Sequence, residues 1–116
     1  MKNKIIIIIL VLSQFFLVNK IFSKEIEFKA KEIEILKDQN LTIAKNGTAV
    51  IEEDNIVVEG NKIQYFKKKS LLLVNQGKIS KTDENFEISS NEINYDINGS
   101  NLNFKDSVIF NDKQNN

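Results

Sequence analysis

One short pattern recurs three times at a fixed interval of 30 residues: Ala30-Lys31-Glu32-Ile33-Glu34-Ile35, Gly60-Asn61-Lys62-Ile63-Gln64-Tyr65 and Ser90-Asn91-Glu92-Ile93-Asn94-Tyr95. A repeat of that period is a supersecondary unit that cannot bury its apolar face alone, so successive units must share a continuous core. Ahead of each pattern stand apolar residues two apart: Ile26 and Phe28, Ile56 and Val58, Phe86 and Ile88. A period of two is that of a strand with one apolar face. From the small residue (Ala30, Gly60 or Ser90) to the following isoleucine the spacing becomes three. The apolar face therefore changes side at the same place in every unit, which predicts a strand that bends there through a bulge or corner.

Downstream, Leu41 and Ile43 match Leu71 and Leu73, and Ala49 matches Ile79. In the third unit the corresponding residues read as Leu102, Phe104 and Phe110, 31 residues on, which places one extra residue at the Asn98-Gly99 turn. Turn-forming residues separate the apolar runs at Lys37-Asp38-Gln39-Asn40, Asn46-Gly47, Asp54-Asn55, Asn75-Gln76-Gly77, Asp83-Glu84-Asn85 and Asn98-Gly99. Asn-Gly is a strong hairpin signal because both residues tolerate positive φ. Proline is absent, and no run after residue 24 keeps a 3.6-residue apolar period over three turns. The expected class is all-β.

The first 23 residues differ in kind. Lys2 and Lys4 precede an apolar run over residues 5–18, broken only by Ser13 and Gln14, and Ser23 offers a small residue before Lys24-Glu25. This is the pattern of a secretory signal peptide. Ile21 stands at the −3 position, where a small residue is usual, so an uncleaved anchor is the alternative. The run is shorter than the ~20 residues that span a bilayer, which favours cleavage. The chain thus reads as a signal peptide (residues 1–23), a domain of three repeats of ~30 residues (24–111) and a polar tail (112–116).

Beyond residue 23 the chain carries 13 lysines against 16 acidic residues and no arginine, which argues against nucleic acid as a partner. There is no cysteine and no histidine. The usual zinc ligand sets, thiol nucleophiles and Ser-His-Asp chemistry are thereby excluded, and no catalytic residue, metal or cofactor is expected. Glu52 and Glu53 are adjacent, and adjacent strand residues point to opposite faces, so a solvated acidic turn is the better reading. Glu32, Glu34, Glu87 and Glu92 alternate with apolar neighbours as a wet outer face requires. Lys67-Lys68-Lys69 falls at a turn between strands, where charge discourages edge pairing, a better reading than a contact with anionic headgroups.

Strands bending at Ala30, Gly60 and Ser90 would build two facing antiparallel sheets and bring Phe28, Ile33, Val58, Ile63, Tyr65, Ile88, Ile93, Tyr95 and Phe104 toward one interior. That interior is either a sealed core or, because a repeat array ends in unpaired strands, an open trough. An open apolar trough in an exported protein suits acyl chains.

The pattern resembles the OstA-like β-jellyroll family of lipopolysaccharide transport, to which the periplasmic LptA and the N-terminal domain of the outer-membrane LptD belong. The phrases that carry the resemblance are a small residue, two polar residues and Ile-x-Tyr, at residues 60–65 and 90–95, with Gly77-Lys78-Ile79 and the run over residues 44–50. It covers residues 26–110, and departs from the pattern where Ile35 replaces the first tyrosine. The chain is also short beside that family, whose members carry further repeats or continue into a membrane barrel. The resemblance implies a periplasmic, non-enzymatic lipid conduit built as an open β-jellyroll, with the nine interior residues as its groove for lipid A acyl chains. It further implies pairing with other Lpt jellyrolls, or head to tail with a second copy, through edge strands at residues 26–30 and 102–110. The alternatives are an LptC-like component anchored in the inner membrane and a structural or partner-docking repeat module.

Overall fold

The computed structural model describes residues 24–112; the expected signal peptide and the end of the polar tail lie outside them. The described chain is a meander of long strands: β1 (Glu27–Leu36), β2 (Leu41–Ile51), β3 (Ile56–Phe66), β4 (Leu71–Lys81), β5 (Phe86–Asp96), β6 (Asn101–Lys105) and β7 (Ile109–Asp112). All pairings are antiparallel and all seven strands belong to one open sheet, ordered β1 to β6, with β7 also on β5. The two sheets expected from the sequence are two halves of this single sheet. Each strand from β1 to β5 crosses both halves, because the bend falls within strands and not between them.

The 30-residue unit resolves into two units of 15. Each of the five connections from β1 to β6 is four residues long, and its last residue is left-handed: Asn40, Asn55, Ser70, Asn85 and Ser100 have φ between 49° and 57°. Three of the connections open with a single 3₁₀ turn, at Lys37–Gln39, Glu52–Asp54 and Lys67–Lys69. Asparagine tolerates that conformation better than other residues with a side chain, which accounts for its use at three of the five positions.

Asn46-Gly47 and Asn75-Gln76-Gly77 are not turns between strands, as their composition suggested. They lie inside β2 and β4. Asn46 and Gln76 are left-handed, at φ 53° and 48°, and the ladder skips the pairs at this level, so the residues that could close a hairpin instead crease a strand. Small residues line the inside of the crease in a row: Ala30, Gly47, Gly60, Gly77 and Ser90. A Cβ on Gly47 would stand 2.2 Å from the Lys29 carbonyl oxygen, and one on Gly60 would stand 2.4 Å from Val74 Cγ1. The crease closes only because those atoms are missing. In β5 the Ser90 hydroxyl takes the place of a glycine and donates to the Lys105 carbonyl at 2.6 Å.

The extra residue of the third repeat also lies elsewhere than expected. The Asn98-Gly99 connection has the common four-residue length, pairing Asp96 with Asn101. Glu92 pairs with Lys105 whereas Ser89 pairs with Ile109, so three residues, Asp106, Ser107 and Val108, stand opposite two. This bulge, with Asp106 and Ser107 both at positive φ, splits the last long strand into β6 and β7.

Candidate functional site

Cross-strand partners share a face of a sheet, so the register lays out the interior row by row. On the turn side of the crease, one row is Ile33, Ala44, Ile63, Val74, Ile93 and Phe104, and the next is Ile35, Thr42, Tyr65, Leu72, Tyr95 and Leu102. Beyond the crease the facing row is Phe28, Ala49, Val58, Ile79, Ile88 and Phe110. The nine residues singled out from the sequence all lie in these rows. Val58, Ile63, Ile93 and Tyr95 are wholly buried at 0% exposure. Phe28, Tyr65, Ile88 and Phe104 pack partly buried against that core. Ile33 is 48% exposed.

Leu71 and Leu73, matched by spacing to Leu102 and Phe104, belong to the outer face, since Leu73 pairs with Gln64 and Asn94. The interior positions of β4 are Leu72 and Val74, both fully buried. The signal that would have found them is the 30-residue step from Ala44 through Val74 to Phe104, which returns to the same place in every second strand.

Two long-range contacts show how the halves meet. The Phe28 ring, from β1, lies 6.1 Å from the Tyr65 ring of β3. The Tyr95 hydroxyl of β5 donates to the Asp54 carboxylate in the turn between β2 and β3. In both cases a strand beyond the crease meets one about two places further along the sheet. The halves are therefore stacked with a stagger, and each has strands with nothing opposite among the described residues. On the turn side these are the strands at the β1 edge, where Ile33 and Ile35 are bare at 48% and 64%. On the far side they are the strands at the β7 edge, where Phe110 is 61% exposed and stacks on Phe86, at 5.6 Å.

A polar latch closes the mouth where the ends of the two halves converge. Lys24 Nζ donates to Asp54 Oδ1 at 3.0 Å and to the Ile97 carbonyl at 2.8 Å, while Tyr95 reaches the same carboxylate from inside. Burial, followed by the Asp54 hydrogen bond, holds the Tyr95 hydroxyl well above its ordinary pKa, and burial alone raises that of Tyr65. No sequence motif marks Asp54 or Lys24, because they meet only through the stagger. Beside the latch a cleft of about 410 Å³ has Ile56, Phe86, Tyr95 and Leu102 in its wall and Lys81 and Glu84 among its polar residues.

Among the described residues no group of three or more histidine, cysteine, aspartate or glutamate side chains could hold a metal ion. What the arrangement offers is apolar surface, continuous along each row and bare at opposite ends.

A search of solved structures finds similarity to LptH of Pseudomonas aeruginosa, described as the LptA-homologous periplasmic component of the conserved lipopolysaccharide transport device. The TM-score is 0.41 and the identity 12%, over 75% of this chain and 94% of that one. No family model matches the chain, and no curated protein matches it.

Proposed function

We propose that the chain is a periplasmic lipopolysaccharide-binding transport module, carrying lipid A acyl chains between the halves of its creased sheet toward the outer membrane. The observation that carries this reading is the stagger: an apolar interior that runs through the molecule and leaves Ile33 and Ile35 bare at one edge and Phe110 at the other. Sequence phrases like those of the OstA-like family point the same way. Burying acyl surface is worth about 25 cal/mol per Å², so several chains bind such a groove without a specific polar contact. The middle rows are already filled, and lipid enters as the halves part at the latch. The groove residues are Phe28, Ile33, Val58, Ile63, Tyr65, Ile88, Ile93, Tyr95 and Phe104.

The same stagger supports assembly. Setting the β1 edge of a following module on the β6 and β7 edge would continue each row, with Ile33 beside Phe104 and Phe28 beside Phe110. Backbone pairing of this kind is β-augmentation, and the partner is another Lpt jellyroll or a second copy.

Complete burial in the middle strands favours one other reading, a structural or partner-docking module whose core never opens. Photo-crosslinking in a lipopolysaccharide-producing periplasm separates the two. A photoreactive residue at Tyr65 captures lipopolysaccharide, and one at Glu59, on the outer face, does not. Absence of adducts at both positions in folded protein would leave the docking module as the better account.

A further inference from the structure

Charge is segregated between the turns. The connections on the β1–β2 side carry Lys37, Lys67, Lys68 and Lys69 against a single acid, Asp38, whereas those at the other end of the strands carry Glu52, Glu53, Asp54, Asp83 and Glu84. A backbone bond from the Lys67 N–H to the Asn40 carbonyl, 2.9 Å, ties the two lysine-bearing turns into one rim. All four lysines are exposed, and none makes an ion pair with a described residue. Apolar side chains stand directly behind them: Ile35 is 64% exposed, and Leu36, Phe66 and Leu71 are half-buried. A cationic rim backed by bare aliphatic and aromatic surface is the composition of an interfacial membrane contact.

We propose that this rim docks the module on the surface of an anionic bilayer, with the lysines at the headgroups and Ile35 and Phe66 at the acyl boundary. Charge complementarity selects the occupant, because neither a zwitterionic surface nor an acidic protein face would use both the lysines and the apolar ledge behind them. Docking here would hold the bare Ile33–Ile35 end of the interior against the membrane and leave the β6 and β7 edge free. The contact is separate from the interior groove and does not depend on acyl chains entering it.

The test uses the exported protein and sedimentation with intact vesicles of phosphatidylethanolamine and phosphatidylglycerol, free of lipopolysaccharide. Each basic residue near an anionic surface contributes about 1 kcal/mol, so Lys67→Glu with Lys68→Glu should weaken binding by more than about tenfold. Raising the salt to shorten the screening length should release the wild type. Glu52→Lys with Glu53→Lys, in the acidic turn between β2 and β3, should leave binding unchanged or strengthen it, and circular dichroism should show both variants folded. Equal binding to phosphatidylcholine vesicles, no binding to anionic ones, or full binding by the folded lysine variant would each overturn the proposal. Protein found only in the supernatant, together with lipid it had extracted, would report the interior groove instead and would likewise overturn docking at the rim.

Discussion

The middle strands and the edge strands of this sheet carry the same residue types in the same rows, yet Ile63 is fully buried while Ile33, its counterpart one repeat earlier, is half exposed. The two isoleucines have equivalent positions relative to the crease and neighbours in the same ladder. What differs is the layer opposite. The stagger of about two strands puts part of the other half over Ile63 and, among the described residues, nothing over Ile33. Interior character in this molecule is thus set by the offset of the two halves as well as by the alternation along each strand, and it ends where the offset runs out, at Ile33 and Ile35 on one edge and Phe110 on the other.

Substituting one charge into the two regions breaks the comparison most severely. Val58→Asp places an unpaired carboxylate in a fully buried row and should cost more than about 4 kcal/mol, enough to unfold the domain. Ile33→Asp, in a row of the same parity at the bare edge, should cost less than about 1 kcal/mol in urea denaturation. Equal losses would mean that the β1 edge is covered in solution.

Glycines sharpen the contrast between crease and turn. At Gly47 an added methyl meets backbone atoms that cannot yield, and Gly47→Ala should destabilise by about 1–3 kcal/mol, as overpacking does. At Gly99 the nearest atom is the end of the Asp96 side chain, and Gly99→Ala should stay within about 0.5 kcal/mol. Comparable melting temperatures for the two variants would place the bend elsewhere.

The latch gives an intermediate effect with a pH signature. Tyr95→Phe removes a buried hydrogen bond to a carboxylate and should cost about 1–3 kcal/mol at neutral pH. Because the folded state holds the Tyr95 proton above the ordinary tyrosine pKa, that contribution is full below pH ~10 and is lost as pH rises beyond it. The difference between wild type and Tyr95→Phe should therefore shrink in alkaline melts; a constant difference would mean that the hydroxyl is not held by Asp54. The smallest effect belongs to the outer face. Glu59→Lys breaks an exposed pair with Lys78 at 3.3 Å and should shift stability by no more than about 0.5 kcal/mol.

Much of this architecture was legible in the residues. Alternation marked the strands, and the change of spacing after Ala30, Gly60 and Ser90 marked the crease in the odd strands. The even strands were misread because Asn46-Gly47 has the chemistry of a hairpin turn, and the same left-handed asparagine serves equally well to crease a strand. That misreading left the crease in β2 and β4 unmarked, and with it the inward-facing Leu72 and Val74. The latch and the two bare ends were not legible at all. Both depend on how far one half of the sheet is displaced over the other, a property of twist and tertiary packing with no local signature.

The central claim is that the filled middle rows open to admit acyl chains. It is tested most directly by isoleucine-methyl NMR of the protein with lipid A. The account predicts contacts from acyl protons to the Ile63 and Ile93 methyls as well as to Ile33, with the outward-facing Ile43 silent. Contacts confined to Ile33 and other bare positions, with Ile63 and Ile93 unchanged, would contradict it and leave a closed sheet that meets lipid only at its edges.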